Sequence, residues 1–142
     1  MKAGLARPRE KTNLTGAFWM TLGLTIASLF PGKVIPSLAI VAVGFADPMA
    51  EIIGRLRPFK PYLNGRKTLS GSLAFFFTSF GLSIIYLNYF NPAIHNLTTA
   101  FLGSLLATFI EAYSGKIKLD DNLTILLSTA LLYTLLRGFG LI

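Results

Sequence analysis

Asp47 and Glu51 stand four residues apart in the run ADPMAEIIGR (46–55), so on a helix they share one face. Two carboxylates on neighbouring turns repel. A divalent cation offsets that repulsion, and magnesium is usually held by one or two carboxylates together with substrate phosphates. A shared proton, or ion pairs with Arg55 or another helix, would answer it as well. Glu111, in the run ATFIEAYSGKIKLDDNLT (107–124), falls at the carboxyl end of an apolar stretch. The helix macrodipole disfavours an anion there, which favours a functional role over a capping one. Asp120, Asp121 and Asn122 open the following segment, and Asp120 reads as its helix cap.

The third informative run, GRKTLSGSLAFF (65–76), places Lys67 and Thr68 immediately before Leu69, Ser70, Gly71 and Ser72. Backbone amides at a helix start, with a lysine and hydroxyls beside them, suit a phosphate. The spacing differs from the GxxxxGK[ST] loop of soluble nucleotide-binding proteins. Each of the three runs sets its charges at the end of a segment long enough to cross a bilayer, where charge is costly unless it binds something. The pattern points to a membrane-embedded site for phosphate and metal.

The elements that must position these groups follow from hydropathy. The chain has 142 residues, 53% hydrophobic and 13% charged, with a mean hydropathy of +0.61, too apolar for a soluble domain of this size. We expect an all-α polytopic bundle forming one integral membrane domain over residues 1–142. About 20 apolar residues cross the hydrocarbon core, and five segments qualify, at residues 14–30, 34–54, 69–90, 93–113 and 123–141. Pro31, Gly32 and Lys33, and Asn91 with Pro92, mark turns. The basic amino terminus lacks a convincing cleavage site after its apolar stretch, so the first segment is expected to be a retained helix.

With the amino terminus in the cytoplasm, every Lys and Arg except Lys33 and Arg137 falls on the cytoplasmic side. All three runs then reach that face, where a site can use a cytosolic nucleotide, and the multi-pass protein is expected in the cell membrane. The net charge of +7 is concentrated in clusters beside apolar segments and lacks the stripe or motif of a nucleic-acid binder. Cysteine is absent, which excludes disulfides and thiolate metal sites. Residues 11–26 also read like 67–84, and ADPMAEIIGR like ATFIEAYSGK. That similarity suggests a parallel two-span repeat in which Glu51 corresponds to Glu111 and Lys11 to Lys67.

In this order the three runs resemble the CTP-dependent lipid kinase family of dolichol kinases, phytol kinases and yeast-type diacylglycerol kinases. GRKTLSGSLAFF is close to the family's KT-x-x-GS pattern, ATFIEA with DDNLTI matches its AT, EA and DN elements, and ADPMAEIIGR looks like its Asp and Gly-Arg segment. Ala46 and Leu126 stand where the family often has Gly and Pro. The resemblance implies phosphoryl transfer from CTP to the hydroxyl of a long-chain isoprenoid or a diacylglycerol. It makes Asp47, Glu51, Glu111 and Asp121 the candidates for catalysis and for holding Mg2+. Arg55, Lys67, Thr68, Gly71, Ser72 and Asn122 become the candidates for binding nucleotide. Many relatives carry further amino-terminal spans, so a minimal enzyme, completion by a homo-oligomer, and a partial kinase are all open. A cytidylyltransferase forming a CDP-lipid, and a transporter or assembly subunit, are the competing functions.

Overall fold

The computed structural model describes residues 16–62, 67–114 and 120–140. Five helices pack up and down: α1 (Gly16–Ala27), α2 (Val34–Leu56), α3 (Leu69–Phe90), α4 (Asn96–Ser114) and α5 (Asp121–Gly138). Each of the five predicted segments holds one of these helices among its described residues. α2, α3 and α4 are long and apolar enough to cross a membrane; α1, at 12 residues, and α5, with Asp121, Asn122 and Arg137 at its ends, are not among them.

The bundle inverts the soluble pattern. Phe45, Ile85, Leu97, Phe101 and Leu131 are exposed, while Ser79, Ser83, Thr99, Ser104 and Thr129 are buried. Small and hydroxylated residues inside let helices approach closely and bond across the interface. Ser104 Oγ donates to Ser79 Oγ at 3.2 Å, and the Tyr133 hydroxyl lies 3.4 Å from Ser83 Oγ. Tyr133 fills the space that Gly103 leaves, its ring 2.5 Å from where a Cβ on that residue would stand.

Helix ends follow local chemistry. The fifth helix starts two residues earlier than hydropathy predicts, because the Asp120 side chain accepts the Asn122 amide at 3.0 Å. That is the capping role expected of Asp120. Asp120→Ala is expected to cost about 1 kcal/mol, seen as a lower Tm in thermal unfolding of the detergent-solubilised protein. The first helix stops at Ala27, before the turn in which Gly32 takes φ 81°. Arg137 closes that turn by donating to Pro31 O at 2.9 Å. The fourth helix begins at Asn96 instead of residue 93; Asn96 Nδ2 donates to Asn88 Oδ1 and Asn91 O, tying the turn to α3.

α2 carries a π-helical turn over Ala42–Ala46. Pro48 lacks an N–H and its ring crowds the carbonyl four residues back, Gly44. One widened turn relieves this, and the Asp47 amide reaches Ala42 O. Such turns are frequent at functional sites, and this one sits directly before Asp47.

Two short strands were not foreseen: β1 (Pro61–Tyr62) pairs antiparallel with β2 (Lys67–Thr68). The sequence signal was Asn64 with Gly65, a hairpin dipeptide, here overshadowed by the cations around it. The described cations divide as hydropathy predicts. Arg55, Arg57, Lys60 and Lys67 lie at the end of the bundle where α2 finishes and α3 starts, and Lys33 and Arg137 lie at the other. The proposed counterpart Lys11 lies outside the described residues, as do Arg66, Lys116 and Lys118.

Candidate active site at the α3–α4 end

Lys67 leaves β2 toward α4, where its ammonium pairs with Glu111 Oε1. The pair is sheltered, with side-chain exposures of 17% for Lys67 and 3% for Glu111, so water screens it little. Ser72, on the first turn of α3, reaches the other carboxylate oxygen, Oε2, at 3.5 Å. The Tyr62 hydroxyl of β1 bonds to Ser72 Oγ. A serine hydroxyl has one proton to give, so when Ser72 donates to Glu111 the Tyr62 O–H donates to Ser72. The result is a chain of hydroxyls ending on a carboxylate, with a lysine on its far side.

Thr68 organises the start of α3. Its Oγ1 accepts the Gly71 amide at 3.1 Å and lies 3.2 Å from Ser70 Oγ. Ser70 Oγ gives its one proton to Arg57 O at 2.6 Å, and the Leu69 amide donates to Phe59 O at 3.0 Å. The basic loop after α2 is therefore bound to the first turn of α3. Gly54 and Gly71 allow this approach: a Cβ on Gly71 would stand 2.9 Å from Ala50 O and 3.5 Å from the Gly54 Cα. In this structure Gly71 acts by its lack of a side chain, since its amide is taken by Thr68.

The other candidates form a second group on α2. Glu51 pairs with Arg55, one turn on, at an exposed position. Asp47 lies one turn before Glu51 and is half-buried. Ala50, beside Glu51, packs its carbonyl toward Gly71, which joins the two groups. Asn122 is half-buried at the start of α5, with its amide on Asp120 and its side chain near Gly16. The Asp121 side chain lies outside the described residues. Among the described residues no three of His, Asp and Glu gather as metal ligands. Those residues therefore form no closed protein cage for an ion. Glu51 is exposed and Glu111 buried, so these two proposed repeat counterparts occupy different surroundings.

From the Tyr62–Ser72 end an apolar groove of about 720 Å³ runs between α3 and α4. Leu73, Phe76 and Phe77 line one wall, and Phe101, Leu105 and Phe109 the other. Phe76 stacks on Phe80 and meets Phe101 edge-on, with centroids 5.9 and 5.8 Å apart. A polar, charged mouth over an aromatic slot matches an amphiphile with one reactive polar end.

The chain is 30% identical to a CTP-dependent diacylglycerol kinase of Eremothecium gossypii over 93% of its length, covering 48% of that protein. It is 30% identical to phytol kinase 1 of Arabidopsis thaliana over 92% of its length, covering 46% of that protein. Against dolichol kinase of Saccharomyces cerevisiae the identity is 32% over 62% of the chain and 17% of the relative. Over most of its length the chain is similar to kinases of membrane lipid alcohols.

The resemblance carried by the three runs is thereby borne out. The chain spans about half the length of the first of these kinases. No family model and no solved structure matches it. Against this lipid-kinase likeness, sequence reasoning missed Tyr62, Gly54 and the groove aromatics. Phe76 and Phe77 line the slot. No local signal separates a ring that lines a groove from one that meets lipid.

Proposed function

We propose that this chain carries the phosphoryl-transfer site of a CTP-dependent kinase that phosphorylates the hydroxyl of a membrane lipid alcohol at the cytoplasmic face of the cell membrane. One observation carries the proposal: a sheltered Lys67–Glu111–Ser72–Tyr62 cluster opens onto an apolar slot between two span-length helices. A cluster of this kind without the slot would suit any phosphate ligand. With it, the reacting partner is an amphiphile.

In the proposed reaction the acceptor hydroxyl enters beside Ser72 and Tyr62, and Glu111 takes its proton. The oxygen attacks the γ-phosphorus of CTP, the bond from that phosphorus to the β-phosphate bridging oxygen breaks, and CDP leaves. Phosphoryl transfer asks mainly for positioning and charge neutralisation. Lys67 supplies a cation that trades Glu111 for phosphate oxygens, and Arg55 adds a second from α2. Asp47 and Glu51 would hold magnesium, which when bound neutralises phosphate charge. Thr68 and Gly71 keep the start of α3 against α2, so that the two groups of residues stay in register.

The test is product analysis with purified protein in detergent, magnesium, labelled CTP, and a panel of prenols, fatty alcohols, diacylglycerol and phosphatidate. The expected products are CDP and a phosphorylated alcohol. Pyrophosphate with a CDP-lipid would replace this reading with a cytidylyltransferase, and a folded protein that turns over none of the acceptors would reject catalysis by this chain.

A further inference from the structure

We infer that Ser72 is a proton shuttle: the acceptor hydroxyl gives its proton to Ser72 Oγ while Ser72 passes its own to Glu111, so the base and the substrate do not touch. The inference rests on the proposed kinase reading and deepens it. Ser72 becomes a catalytic residue, where the family resemblance implies a nucleotide ligand.

Access separates the carboxylate from the slot. Glu111 is buried, with Lys67 on Oε1 and Ser72 on Oε2, and among the described residues it does not line the slot. Tyr62 and Ser72 do. An alcohol in the slot therefore meets hydroxyls first and the carboxylate only through one of them. Ser72 is the slot hydroxyl that reaches Glu111. Thr108, another lining residue, has its proton committed to Ser104 O at 2.7 Å on its own helix.

Hydrogen-bond counting sets the direction. A serine hydroxyl donates once and accepts twice. With its proton on Glu111 Oε2 and one lone pair taken by the Tyr62 O–H, Ser72 keeps a second lone pair for an alcohol O–H at that end of the slot. Tyr62 maintains this polarity, since a Ser72 that accepts from Tyr62 has its proton free to turn to Glu111. The Thr68 cap and the approach of Gly71 to Ala50 O fix the turn that carries Ser72.

The step balances. The alcohol O–H bond breaks as a new O–H bond forms on Ser72, and the former Ser72 proton goes to Glu111 Oε2. The alcohol oxygen bonds to the γ-phosphorus as the bond to the bridging oxygen breaks and CDP leaves. Ser72 ends neutral, as it began, and Glu111 holds the proton. The 3.5 Å between Ser72 and Glu111 is long for transfer, but catalytic contacts often tighten only in the loaded site. Here the move of Lys67 to phosphate leaves Ser72 as the contact that the carboxylate keeps.

The experiment is single-turnover phosphoryl transfer by the whole protein in detergent, run in mixtures of H2O and D2O with each alcohol of the product-analysis panel, beside equilibrium binding of CTP. The wild type is expected to show a rate that depends on deuterium fraction along a curve, the mark of two protons moving together. Ser72→Ala should lower the rate about a hundredfold, within the range of acid–base catalysis, leave Kd for CTP unchanged and make the deuterium dependence linear. Ser72→Thr keeps the hydroxyl and should restore both rate and curvature, and Tyr62→Phe should lower the rate less than Ser72→Ala. Ser79→Ala removes a buried hydroxyl two turns along the same helix, the one that accepts from Ser104, and should lower Tm without changing rate or curvature. A Ser72→Ala protein that binds CTP weakly yet transfers at the wild-type rate when saturated makes Ser72 a nucleotide ligand and overturns the inference. A linear wild type, or a curve that survives Ser72→Ala, overturns it too. All of these outcomes leave the kinase reading standing, whereas a folded wild type that transfers to none of the alcohols removes that reading and this inference with it.

Discussion

Lys67→Ala is expected to reduce phosphoryl transfer about a hundred- to thousandfold, the usual cost of losing a charge-stabilising donor in a water-poor site, and to destabilise the protein by about 3–5 kcal/mol. The second effect follows from geometry. Glu111 is buried and its carboxylate faces Lys67 and Ser72. Without the ammonium, a charge remains in the bundle with one weak hydroxyl contact. Set against a total stability of about 5–15 kcal/mol, that loss is large enough to appear as a clear fall in Tm. Glu111→Gln separates the two effects. It keeps the volume and removes the buried anion, leaving Lys67 partly exposed, so it should lose turnover with a smaller change in Tm. Lys67→Met combined with Glu111→Gln should recover stability relative to Lys67→Ala without recovering turnover. Thermal unfolding in detergent beside CDP release would decide; an unchanged Tm for Lys67→Ala would mean that the pair does not hold the site together.

Gly71→Ala carries the other large effect. The new methyl would stand 2.9 Å from Ala50 O and 3.1 Å from Thr68 Oγ1. A backbone carbonyl inside a helix cannot step aside, so α2 and α3 must part at the point where the two groups of site residues meet. Overpacking of this kind costs about 1–3 kcal/mol. The displacement also carries Asp47 and Glu51 away from Lys67, so turnover should fall by more than the stability loss explains. Gly81→Ala, on the same helix, meets nothing within 4 Å and gains helix propensity, so it should be neutral or raise Tm while keeping activity. Equal behaviour of the two variants would show that the α2–α3 approach is not tight.

The helices, their order and their breaks were legible because hydropathy is a property of each segment alone. The stretch at residues 69–90 coincides with α3, and the cap at Asp120 was legible from residue type and position. The uneven distribution of cations between the two ends was legible for the same reason, since counting needs no knowledge of neighbours. The hairpin was harder. Its strands are two residues each, too short for an alternating pattern, and Tyr62 gained its place only by pairing with Lys67 across it.

By itself, then, the sequence determined that this is an all-α membrane bundle with acids and cations collected at one end, and the order of its three runs pointed to lipid kinases. The tertiary structure decided which charge meets which. Glu111 takes Lys67, from 44 residues away, and Glu51 takes Arg55, one turn along its own helix. It also decided that the rings of α3 and α4 enclose a slot beside that pair. Hydropathy places a helix along the membrane normal and leaves its rotation and its neighbours open. Partner choice depends on both, through the close approach of Gly54 to Gly71 and of Gly103 to Tyr133, contacts that exist only once the helices pack.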